Sequence, residues 1–124
     1  VTSSAPDRPE SDERKAKRLR RAVPVLVVFD GDGKERRHLI RGREATIGRD
    51  VGNDICIRDH LVSKVHAKLL ISNQSVTVVD LDSVNKTRVN GGIVTHSALR
   101  YGDEVQFARV KCRLDLHVPS REDE

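Results

Sequence analysis

The chain has 124 residues, 36% of them hydrophobic, and a formal net charge of +4; one domain of that size buries enough surface to need no metal or disulfide staple. Two cysteines without C-x-x-C spacing exclude a disulfide framework, and five histidines with no pair spaced for shared coordination give no metal site and no cofactor to hold. No apolar run approaches a membrane span and no apolar leader is visible, so reduced thiols in an intracellular protein, cytoplasmic or nuclear, are expected.

The charge is unevenly placed. Residues 1–22 hold seven basic and four acidic side chains, whereas the remaining chain is nearly balanced at sixteen and fifteen. With two prolines, four hydroxyl residues and scarcely any large apolar side chain, residues 1–22 read as a disordered basic tail that cannot offset its own ordering entropy. Its run "RKAKRLRR" offers non-specific attraction to an acidic surface or to nucleic acid.

From Val23 the pattern changes to short alternating segments punctuated by turns. "VPVLVVF" is a first strand, "DGDGK" a turn, and "RRHLI", "EATI" and "DICI" follow. "VHAKLLI" and "SVTVVDL" flank the connection "SNQ". "TRV" and "IV" flank "NGG", and "EVQFA" and "KCRLDLHV" close the series before the acidic exit at 119–124. Two Phe, one Tyr and no Trp or Met leave Val, Leu and Ile to build the core, which favours sheet. No stretch of helical length shows a 3.6-residue period. The expectation is an all-β sandwich of ten to eleven short strands over residues 23–118.

Three connections carry residues that a bare turn does not need: "IGRD" at 47–50, "LVSKVH" at 61–66 and "DLDSVNKTRVNG" at 80–91. Gly48-Arg49, Ser63-Lys64-Val65-His66, Asp80 to Gly91 and Gly102-Asp103 follow one another in the order and spacing of the forkhead-associated (FHA) domain, and the sequence resembles that family over about residues 23–118. The resemblance implies a phosphothreonine-peptide binder with no catalytic role. The partner would be a phosphothreonine-containing protein in kinase-dependent signalling.

Phosphothreonine carries about −1.5 to −2 charge and three strong acceptor oxygens. Arg49 supplies a forked cation and Ser63 a neutral donor, with Lys64 adding charge at the rim. Asn85 suits the ligand main chain, and Leu61, Val84 and Lys86 are candidates for contacts with flanking residues. Gly48, His66, Thr87, Asn90 and Gly91 are expected to support the site. The chain departs from the family pattern at Val84, where a Thr is common, and at Lys86, where a Gly is usual. A lysine there is strained if the position needs positive φ.

Ser63, His66 and Asp80 or Asp82 also supply the residue types of a hydrolase triad. The chain has no G-x-S-x-G elbow, and side chains three apart on a strand entry diverge. Nucleic-acid binding is the other rival, carried by the tail, since the folded part lacks aromatic platforms for bases. A phosphorylated Thr2 on the tail would also allow self-association through the domain's own site.

Overall fold

The computed structural model describes residues 9–120. Eleven strands form two sheets: β1 (Val23–Phe29), β2 (Glu35–Leu39), β3 (Glu44–Gly48), β4 (Ile55–Cys56), β5 (Ala67–Ser72), β6 (Ser75–Asp80), β7 (Thr87–Val89), β8 (Gly92–Val94), β9 (His96–Leu99), β10 (Glu104–Phe107) and β11 (Val110–His117). One sheet runs β2-β1-β11-β10-β7-β8 and the other β4-β3-β5-β6-β9. All pairings are antiparallel except β3 with β4. This is the expected β-sandwich.

Alternation decides what each strand buries. Leu26 and Val28 of β1, Ile47 of β3, Leu69 of β5, Val78 of β6, Val105 and Phe107 of β10 and Leu114 of β11 meet in one core between the sheets. Strand β1 is buried on both faces, because Val25 and Val27 are also inaccessible. Register places Arg37 and Arg113 beside Val27, and Leu39 and Asp115 beside Val25. Arg113 binds Asp115 through two hydrogen bonds of 2.8 and 3.0 Å and lies over the Phe29 ring, so a paired charge layer covers this outer face.

Tight turns set the ends. Val89 pairs with Gly92 across a two-residue turn in which Asn90 and Gly91 both have positive φ (48° and 90°), the twist that suits a hairpin. Strand β9, "HSAL", carried no alternation strong enough to mark it in sequence.

The described part of the N-terminal segment, from residue 9, departs from the disorder expected over residues 1–22, while residues 1–8 lie outside the described residues. Asp12–Arg20 form a helix, α1, capped by Ser11, whose hydroxyl accepts from Arg14 N–H at 3.2 Å. Asp12 and Glu13 lie in its first turn and Lys17, Arg18 and Arg20 in its last, the charge order that the helix dipole favours. Caps and charge supply the signal here, with no apolar stripe: the helix has no buried residue. Arg18 forks onto Glu10 at 2.8 and 2.9 Å, and Gln74 in the β5–β6 turn donates to the carbonyls of Leu19 and Ala22 at 2.6 and 3.2 Å. The basic run is therefore displayed on a helix at the β5–β6 turn. Thr2 lies outside the described residues. Among the described residues no helix is long and apolar enough to cross a membrane, and no group of three or more His, Cys, Asp or Glu converges as a metal site.

Candidate functional site

The connections after β3, before β5 and between β6 and β7 meet at the end of the sandwich opposite the β5–β6 turn. Main-chain bonds join the first two: Arg49 N–H donates to Ser63 C=O at 3.0 Å and Asp50 N–H to Lys64 C=O at 3.2 Å. Asn53 reinforces them by donating its side-chain amide to the carbonyls of Asp50 and Lys64. The approach is close enough to require Gly48, because a Cβ there would stand 2.2 Å from Lys64 O and 2.7 Å from Asn53 Nδ2.

Arg49 is half-buried. Its Nε donates to Val62 C=O at 3.0 Å, which fixes the guanidinium plane, and its two terminal nitrogens find no acceptor among the described residues. Ser63 Oγ accepts from Val84 N–H at 3.1 Å, and its own O–H is unbonded among the described residues. Asn85 donates Nδ2–H to Leu61 C=O at 2.8 Å, leaving Oδ1 as an acceptor. Lys64, Val84 and Lys86 are exposed around these groups, and Leu61 is partly buried against the core.

His66 ties the third loop in. Its buried ring accepts Ser63 N–H at Nδ1 (3.1 Å), so Nε2 carries the proton and donates to Lys86 C=O at 2.9 Å. Burial lowers its pKa, outweighing the bond to Lys86 and the Asp80 carboxylate 4.0 Å away, and the ring is held neutral.

An FHA domain profile matches residues 45–108. The chain belongs to the FHA domain family. It is 36% identical over 87 residues to the glycogen accumulation regulator GarA of Mycobacterium tuberculosis, covering 70% of this chain and 54% of that protein. With the oxoglutarate dehydrogenase inhibitor of Corynebacterium glutamicum it shares 32% identity over 96 residues, 77% of this chain and 67% of that one. The chain thus spans about half to two thirds of the length of these curated relatives. A solved structure described as a structural and functional analysis of phosphothreonine-dependent FHA domain interactions superposes with a TM-score of 0.71 at 27% identity, covering 78% of this chain and 99% of that one. FHA domains bind phosphothreonine peptides, and this sandwich is a module of that kind.

Within this FHA domain the structure answers the triad reading. The atom of Ser63 that reaches His66 is its main-chain N–H, which occupies Nδ1, while Nε2 donates to Lys86 C=O and the Ser63 hydroxyl oxygen accepts Val84 N–H. His66 has no lone pair left with which to accept the Ser63 proton. Asp80 also has structural work: it accepts from Ser83 Oγ at 2.5 Å, Ser83 N–H at 3.1 Å and Thr87 Oγ1 at 2.7 Å. Burial raises its pKa, but these three donors outweigh it and hold the carboxyl below its usual range.

Lys86 has φ 71°, so the strain attached to replacing Gly there is present. Asn90 crosslinks its turn to β10, donating to Asp103 and accepting from Glu104 N–H. Sequence reasoning did not single out Asn53 or Ser83, nor the cleft of about 600 Å³ beside Arg49 that Arg58, Asp59 and His60 help to line. The Asp80-x-x-Ser83 spacing was the available signal for Ser83. Asn53 works through main-chain carbonyls, which residue type does not reveal.

Proposed function

We propose that Arg49 and Ser63 grip the phosphate of a phosphothreonine segment, with Lys64 adding charge at the rim and Asn85 Oδ1 accepting an N–H of the ligand main chain. The observation that carries this is the Arg49 guanidinium, tethered at Nε with neither terminal nitrogen bonded among the described residues, on a loop whose main chain is bonded to that of Ser63. A fork so oriented meets two phosphate oxygens at once. The role is binding without catalysis, in an intracellular, kinase-dependent regulatory setting. The relatives named as a regulator and an enzyme inhibitor support a partner of the same regulatory kind. Self-association through phosphorylated Thr2 is a further reading of the same site. Calorimetry with a phosphothreonine peptide and its unphosphorylated twin tests the proposal: binding of the phosphorylated form alone is expected, and equal affinity for both would refute it.

A further inference from the structure

Lys86 stands out among the residues with left-handed backbone. Among the described residues the other non-glycine cases are Asn73, Asp82 and Asn90, whose types tolerate it, and Ala108, whose side chain is a single methyl. Lys86 alone combines φ 71° with a long side chain.

Its main chain cannot relax away from that conformation. The Lys86 carbonyl accepts both His66 Nε2–H at 2.9 Å and Ala108 N–H at 3.0 Å, and the preceding residues are tied by Val84 N–H to Ser63 and by Asn85 to Leu61. The frame uses only the carbonyl, which a glycine would present with less strain. The exposed lysine side chain therefore adds something the frame does not need. What it adds is a flexible positive charge one residue from Asn85, at the edge of a site where Arg49 and Ser63 already serve the phosphate.

From this we infer that Lys86 is a selectivity residue, which favours phosphothreonine segments carrying a second anionic side chain beside the phosphorylated residue. The inference rests on the proposed phosphothreonine site. The anion is an acidic residue or a second phosphorylated one, and both satisfy an ammonium group.

Calorimetry on the full chain would use a phosphothreonine peptide with alanine flanks, then the same peptide with Asp or phosphoserine at each flanking position in turn. At low salt one position should gain roughly three- to fivefold with Asp, the range of an exposed ion pair, and the gain should shrink as salt is raised. Phosphoserine there should gain more than Asp if the natural anion is a phosphate, and no more than Asp if it is a carboxylate.

In Lys86→Gly and Lys86→Gln the gain should vanish while affinity for the alanine-flanked peptide holds, and Lys86→Gly should melt several degrees higher. A gain that survives in both variants, or no gain in the parent, overturns the inference and leaves the phosphothreonine site standing. An equal loss for every phosphopeptide would make Lys86 a phosphate contact and also overturn it. Failure of the parent to bind the alanine-flanked phosphopeptide would count against the site itself, and the inference would fall with it.

Discussion

The two ends of the sandwich are joined in different ways. At the end that carries Arg49 and Ser63, three loops are held by a mesh in which His66, Asn53, Asn85 and Ser63 each reach the main chain of a neighbouring loop, and several loop carbonyls and amides are engaged at once. At the opposite end, helix α1, with no buried residue of its own, is held by side-chain bonds, Gln74 to the carbonyls of Leu19 and Ala22 and Arg18 to Pro119 C=O. The first end is a network, in which one broken link shifts the others. The second is an attachment, which can be loosened without disturbing the site.

Substitutions can break or sharpen that contrast. Arg49→Ala should have the largest effect and confine it to ligand: truncating one partner of a hydrogen-bonded charge pair costs about 2 to 5 kcal/mol of affinity. One partly exposed bond to Val62 is lost from the fold, about 1 kcal/mol. Calorimetry beside thermal melts separates the two, and a collapse of stability would place Arg49 within the mesh.

Gly48→Ala should damage both properties together, since its Cβ overlaps Lys64 O; overpacking of this kind costs about 3 kcal/mol. A stable Gly48→Ala protein that still binds phosphopeptide would show that the two loops can part cheaply.

Acidification should loosen the mesh at His66. The folded-state pKa lies below the ordinary 6.5, so the unfolded chain takes up the proton first. Stability is therefore full above about pH 6.5 and is lost as pH falls toward the folded value, by up to about 1.4 kcal/mol per pH unit. His38 is shifted in the same direction, by burial first and then by Arg36. Comparing ligand-free melts of the parent and His66→Gln between pH 7.5 and 5 isolates His66, whose removal should flatten part of the slope. The lowered carboxyls of Asp59 and Asp80 carry the same sign and act only below about pH 4.

Gln74→Ala should have the smallest effect, about 1 kcal/mol or less, with phosphopeptide affinity unchanged. A partial loss of helical circular dichroism, since Arg18 still donates to Pro119 C=O, without loss of binding is the expected pair of readings. Weakened binding would mean that the two ends communicate.

The same contrast explains what could be read in advance. Strands β5, β6, β10 and β11 announce themselves by alternation because one face of each is buried, and Gly48-Arg49, Ser63 and His66 stand at turns where the residue type has a chemical reason. Helix α1 was missed because its order comes from the Ser11 cap and a charge gradient inside a segment of disorder-like composition. In sequence, Thr87 was expected to support the site and Asp80 was weighed as a triad carboxylate, but the bonds that join Asp80, Ser83 and Thr87 were not read. The function of this cluster depends on burial, and burial is a property of the assembled loops.

Lys64, Val84 and Lys86 lend main-chain atoms to the mesh, while their side chains point to solvent. Val84 can accept new side chains without asking the scaffold to refold, and position 86 those that tolerate its left-handed backbone. A domain built this way is easily retargeted: its appetite for neighbouring residues can drift, or be engineered, while its grip on the phosphate stays constant.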